Sequence, residues 1–321
     1  EYGDISPRTA AFAAKEMLKR GIPYLVLEKF GQARPLANKS SKVQKFRRYS
    51  SLALATTALT EGVTPTAKQL AAVDVTATLQ QYGDLVTISD VVIDTHEDPV
   101  LKEASEALGE QAAQTVETIR FNVLKAGTNV VYSNGTARNA VNTEMTLADQ
   151  RKATRTLKRQ NGRAITSVVK STPSYGTEAV APSYVGLIHP DMDAVIRSFA
   201  GFVPVEKYGT MTPHEGEIGK VEDVRYVCST IFASFANGGG TKGAMIGTSA
   251  ADVYPTLIVA RDAYGIVPLK GGASLSPAVV NPKPSDSDPL AQRGHVSWKS
   301  MQTAVILNDA FMVRIESAVT D

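Results

Sequence analysis

DPVLKEASEALGEQAAQTVETIRFNVLKAG, residues Asp98 to Gly127, is the stretch that decides the fold. Asp98 before Pro99 is a helix start: the carboxylate accepts from free backbone N–H groups of the first turn, and proline suits that turn. Leu101, Ala104, Leu108, Ala112, Val116, Ile119 and Val123 then recur at steps of three and four, one apolar stripe on an α-helix. Lys125 lies in the last turn and Gly127 suits the left-handed stop. At about 1.5 Å per residue the helix is roughly 40 Å long, against an ordinary length of about 10–14 residues. A helix this long needs packing along its length. It is either the core helix of a large domain or a spine on which an elongated subunit leans, and Leu101, Leu108, Val116 and Ile119 are its core positions.

The rest of the composition is that of a globular chain. With 321 residues, 43% of them hydrophobic, a sizeable core is within reach, in one large domain or two smaller ones. A net charge of +2 argues against a polycation that binds nucleic acid with its whole surface. One cysteine excludes an intrachain disulfide and a multi-cysteine metal site. No apolar run approaches the roughly 20 residues that span a bilayer, so no membrane partner is expected, and no signal peptide is read at the start.

The charge is unevenly spread. Residues 1–60 hold eleven Lys/Arg against four Asp/Glu, and Arg151 to Lys170 hold seven basic residues and no acid. The remainder is acidic on balance.

Along the chain, Ser6-Pro7 starts a short helix to Arg20, and with Tyr24 to Phe30 it reads as an arm. Val43 to Tyr49 is a strand bearing Lys45, Arg47 and Arg48, and Val73 to Gln80 alternates as a second. Their connection, Ser50 to Ala72, is far longer than the usual loop of about 4–6 residues. It is small, apolar and threonine-rich, with Leu52 and Leu59 before a turn at Glu61-Gly62. A long two-stranded flap is marginal alone and makes sense if a neighbouring subunit packs it. Tyr82-Gly83-Asp84 reads as a break before a strand from Leu85 to Ile93. Asn129 to Tyr132 is a short strand. Thr146 and Asp149 have the capping-box spacing for a helix to about Gln160, on which Arg151, Arg155, Lys158 and Arg159 share a face. Val168 to Gly176 reads as strand and turn, Ala181 to Ile188 as a strand, and His189-Pro190 opens a helix to Phe199. Val203 to Gly219 reads as loop, the segment around Val224–Val227 as strand, Pro277 to Pro289 as a connector and Trp298 to Val319 as a closing β run. The class is α+β, without a βαβ or internal repeat.

No constellation names a reaction. His96, His189, His214 and His295 lack metal-ligand spacing, no Gly-x-Ser-x-Gly elbow is present, and Gly238 to Gly240 lacks the ending of a phosphate loop. Cys228 lies in an apolar strand and reads as core. Asp90, Asp94, Glu97 and Asp98 cap the long helix or hold a divalent ion. The basic face at 151–163 contacts phosphate or a neighbouring subunit; no aromatic interleaves it, which disfavours base stacking. No catalytic group and no cofactor or metal is expected. Against the reading of a structural subunit stand a nucleic-acid-binding module built on that basic helix and, further off, a hydrolase whose site is not evident.

The arrangement of basic arm, long flap, spine helix, mixed domain and final strand resembles a tailed-phage major capsid protein of the HK97-like fold, and within it the type of phage N4. The resembling strings are Leu59–Pro65 (LTEGVTP), Gln81–Asp90 (QYGDLVTISD), Gly216–Arg225 (GEIGKVEDVR) and Trp298–Met301 (WKSM). The resemblance implies a subunit that self-assembles into an icosahedral shell of hexamers and pentamers around double-stranded DNA touched without sequence specificity. It implies location in the virion capsid after assembly in the host cytoplasm, with scaffold, decoration and portal proteins as further partners. It implies a division into an arm (1–42), a flap (43–80), a peripheral domain (81–180) with the spine helix at 99–126, an axial domain (181–271) and a return to the peripheral domain (272–321). Lys45, Arg47, Arg48, Leu52, Leu59 and Glu61 would then be intersubunit flap residues. Lys68 is the one lysine inside the flap connection, and nothing supports a crosslinking role for it.

Overall fold

A computed structural model describes residues 25–89, 100–165, 182–208, 213–270, 275–280, 289–290 and 292–321. In chain order the elements are β1 (Gln32–Ala33), β2 (Val43–Tyr49), β3 (Ala72–Thr78), β4 (Gln80–Ser89), α1 (Val100–Lys125), β5 (Val130–Tyr132), α2 (Leu147–Arg159), β6 (Tyr184–Ile188), α3 (Asp193–Arg197), β7 (Phe202–Pro204), β8 (Glu217–Val221), β9 (Val224–Cys228), β10 (Tyr254–Val259), β11 (Tyr264–Pro268), β12 (Leu275–Val280), β13 (Arg293–Ile306) and β14 (Met312–Ser317). The expected helix at 6–20, the acidic cluster at 90–98 and the strand at 168–176 lie outside the described residues.

Two sheets carry the fold. One has seven strands in the order β5-β14-β10-β6-β9-β8-β7, and its central strands β6, β10 and β14 are buried at every position. Such strands need partners on both faces, hence the near-continuous apolar run of Tyr254–Val259. Side chains alternate: Tyr184, Ile188 and Ile258 meet Ala153 and Leu157 of α2 on one face. Val185, Leu187, Leu257 and Val259 meet Phe121 and Leu124 of α1 on the other. The second sheet runs β1-β11-β13-β12, with β4 on the free edge of β13 over ten paired residues.

α1 lies across both sheets, which is why it is long. Its first half sets Leu108 and Ala112 against Ile88, Val296 and Trp298 of the five-stranded sheet. Its second half sets Phe121 and Leu124 against the seven-stranded sheet. The buried face turns around the axis between the two: Val116 is buried, but Ile119 and Val123 are half-buried and Phe121 and Leu124 take the core. The straight stripe expected from the sequence therefore holds only for the first half. Leu101 lies in the helix, its side chain outside the described residues.

Three other expectations change. The chain does not break at Tyr82-Gly83-Asp84; β4 runs through it, because a Cβ at Gly83 would stand 2.6 Å from the Trp298 carbonyl oxygen and glycine lets the strands close up. The stretch taken as a connector from Pro277 is strand β12 to Val280, paired with β13. The segment expected as loop between Val203 and Gly219 holds strand β7 and the start of β8.

Candidate assembly surface

β2 and β3 form a two-stranded ladder of their own, Val43 opposite Thr78 through Tyr49 opposite Ala72. Only its root is packed. Phe46 and Ala77 join Leu36, Leu79 and Val267 in a small core, and Phe46 sits against Gly265, where a Cβ would lie 2.9 Å from the ring. Arg47 and Asp74 stand opposite each other and share a two-bond ion pair at 2.7 and 2.8 Å, which holds the Asp74 carboxyl below its ordinary range. Lys45 and Arg48 are exposed.

Beyond Tyr49 every residue to Ala71 is exposed. Leu54 is 85% exposed, Leu59 77%, Val63 63% and Leu52 56%. Scattered surface leucines need no explanation, but here several fall along one segment and make an exposed apolar stretch. Lys68 donates to the Ala53 carbonyl at 3.0 Å, tying the two limbs of the connection. Under the root lies a cavity of about 300 Å³ lined in part by Arg34, Phe46, Arg48, Val75 and Phe311.

The basic face on α2 is built as the capping box requires: Thr146 Oγ1 accepts from the Asp149 N–H, and Asp149 accepts from the Thr146 N–H. Arg151, Arg155, Lys158 and Arg159 are all exposed beside an open groove of about 520 Å³. Two of the four are answered. Arg151 donates to Glu222 at 2.9 and 2.5 Å, and Lys158 donates to Asp223. Among the described residues Arg155 and Arg159 have no ion pair.

The sequence did not reveal the buried charges that lock these pieces together. Glu117, on α1, has no exposed side chain; its Oε1 accepts the Val26 N–H at 2.9 Å and the Leu27 N–H at 2.6 Å. Burial pushes its carboxyl up to about 7 despite those two bonds and the nearby Arg120. Tyr264 donates to the Leu27 carbonyl at 2.6 Å, so the chain leaving the arm is pinned from two elements. Glu217 accepts Arg225 through both Nε and Nη2 at 2.6 Å, the Tyr208 hydroxyl at 2.8 Å and the His214 N–H at 3.0 Å, all around a buried carboxylate. Arg138 makes a two-bond pair with the buried Glu316 at 2.8 Å. Only the i, i+3 spacing of Glu117 and Arg120 hinted at any of this, and that spacing usually reads as a solvated helix face.

Among the described residues no group of three or more His, Cys, Asp or Glu could hold a metal, and no helix is long and apolar enough to cross a membrane. Cys228 is half-buried at the end of β9, and burial lifts its thiol to about 11, away from the reactive thiolate.

The long helix spanning two sheets, with a hairpin rooted on the five-stranded sheet, is the HK97-like capsid fold. The capsid protein of Ralstonia phage GP4 superposes with a TM-score of 0.62 at 12% identity over 91% of this chain and 87% of that one. The cyanophage Pam1 capsid gives 0.61 at 12% over 94% and 92%. The SrpI encapsulin of Synechococcus elongatus gives 0.57 at 10% over 92% and 88%. The phage capsid protein family matches residues 72–264, and the chain belongs to it. No curated protein matches the chain in sequence. The protein is thus a phage capsid protein, a structural subunit of a many-copy shell located in the virion capsid.

Proposed function

We propose that the flap at 43–80 is the element by which one subunit lies over its neighbour in a shell of hexamers and pentamers. The carrying observation is the wholly exposed connection from residue 50 to 71 with its leucines and Val63. A hairpin that packs only Phe46, Ala77, Leu79 and part of Val75 at its root gains little from its own subunit, so its apolar area is available to a second copy. Lys45 and Arg48, exposed on β2, steer that approach toward the acidic remainder of the chain, and Leu52, Leu59 and Glu61 are contact positions. In this reading 1–42 is the arm, 81–180 and 272–321 form the peripheral domain around α1, and 181–271 approaches the capsomer axis. The shell encloses double-stranded DNA, which the face of α2 carrying Arg151, Arg155, Lys158 and Arg159 touches through phosphates. Scaffold, decoration and portal proteins, assembly in the host cytoplasm and kinship with the phage N4 type belong to the same proposal.

Electron micrographs of purified protein test it. Wild-type protein forms rings or shells, and a Leu54→Asp/Leu59→Asp variant stays a soluble, folded subunit. Shells of normal shape from that variant would remove the flap from assembly.

A further inference from the structure

The basic face of α2 carries its own competitor. We propose that the turn Glu222-Asp223 is an electrostatic mask that occupies two of the cations of a phosphate-binding face and yields them to duplex DNA. The inference rests on the DNA-facing reading of α2 and adds to it.

Val221 pairs with Val224, so Glu222 and Asp223 are the entire connection between β8 and β9. Two-residue hairpin turns favour asparagine, aspartate or glycine where φ is positive. Here Glu222 sits at φ +49°, a conformation that a long side chain adopts at a cost. Local turn chemistry does not account for two consecutive acids there. Their partners do: Glu222 reaches Arg151 and Asp223 reaches Lys158, one helical face apart. Both pairs are open to water, with side chains 38–58% exposed, so they are weak and replaceable by another anion.

The rest of the face has the character of a phosphate contact. Lys152, Arg155 and Arg159 are exposed beside the two masked cations, and the one fully exposed apolar side chain on α2 is the small Ala148 in its first turn. A protein interface is centred on apolar and aromatic groups; the flap exposes several leucines, whereas α2 exposes a single alanine. No aromatic is present to stack single-stranded bases. A fully hydrophilic row of cations suits the backbone of a duplex.

The test is a salt titration of full-length subunit binding to a short mixed-sequence DNA duplex. Glu222→Gln/Asp223→Asn frees two cations; it is expected to bind roughly tenfold more tightly at low salt, with a log–log salt slope steeper by about 2. Arg155→Gln/Arg159→Gln is expected to weaken binding and flatten the slope by about the same amount. Unchanged melting midpoints identify folded variants, and Glu222→Gln alone serves if the double variant does not fold. Loss of binding in the arginine variant without a gain in the acid variant overturns the mask and leaves the DNA reading standing. No effect of either variant overturns both. Binding of a polyglutamate peptide but not of the duplex assigns the face to an acidic protein partner and overturns both as well.

Discussion

Two apolar stretches of this chain have opposite fates. Tyr254–Val259 is buried at all six positions, between strands on both edges and side-chain layers on both faces. The connection from residue 50 to 71 is rich in leucine, alanine and threonine, and all of it is exposed. The difference lies in what the chain supplies. The central strand is flanked by β6 and β14 and covered by α1 and α2; the flap has one partner strand and no cover. Apolar sequence favours burial, and the fold decides which stretches find cover within the chain.

Single substitutions should separate the two regions. Leu257→Asp places a charge between α1 and the seven-stranded sheet and should cost more than about 4 kcal/mol, leaving little soluble protein. Leu59→Asp, in a side chain 77% exposed, should shift the subunit's melting midpoint negligibly while lowering shell yield. A comparable loss of stability in both would erase the contrast.

Glu217→Ala leaves Arg225 buried without its carboxylate and should cost about 3–5 kcal/mol by chemical denaturation, whereas the matched loss of an exposed ion pair on the flap should be small. A near-neutral Glu217→Ala would mean that water replaces the carboxylate and that the site is less closed than its packing implies.

A smaller effect is expected at the root of the arm. Glu117 titrates near 7 in the folded chain against an ordinary 4.5, so the folded state holds its proton more tightly than the unfolded one. That contribution to stability is full below about pH 4.5 and is lost as pH rises through about 7, up to about 3 kcal/mol. His214, depressed by burial and then by Arg225, works in the opposite sense at acid pH, so the useful quantity is wild type minus Glu117→Gln. The difference should slope between about pH 4.5 and 7 and flatten above. A flat difference would place the titration elsewhere.

How much of this was legible follows the same division. Helix α2 was readable to within a residue because Thr146 and Asp149 are a local device. Of the two flap strands, the second was readable from the alternation of Val73, Val75, Ala77 and Leu79. What escaped was set by distant contacts. α1 changes its buried face because it crosses from one sheet to another, so Phe121 replaced Ile119 as core. Gly83 looked like a break because its close neighbour, Trp298, is more than 200 residues away. The burial of Glu117, Glu217 and Glu316 was not legible because their hydrogen-bond donors come largely from other elements. The pairing of Arg151 and Lys158 with Glu222 and Asp223 was hidden for the same reason.

The central claim is that the flap serves assembly and not the subunit's own core. Replacing Leu52 to Gln69 with a short Gly/Ser link tests it most directly, with sedimentation velocity to follow assembly and circular dichroism to follow the fold. The account predicts a folded, soluble subunit with an unchanged spectrum apart from the lost segment, sedimenting as small species where wild type forms shells. Intact shells from the deleted chain, or a chain that no longer folds, would contradict it.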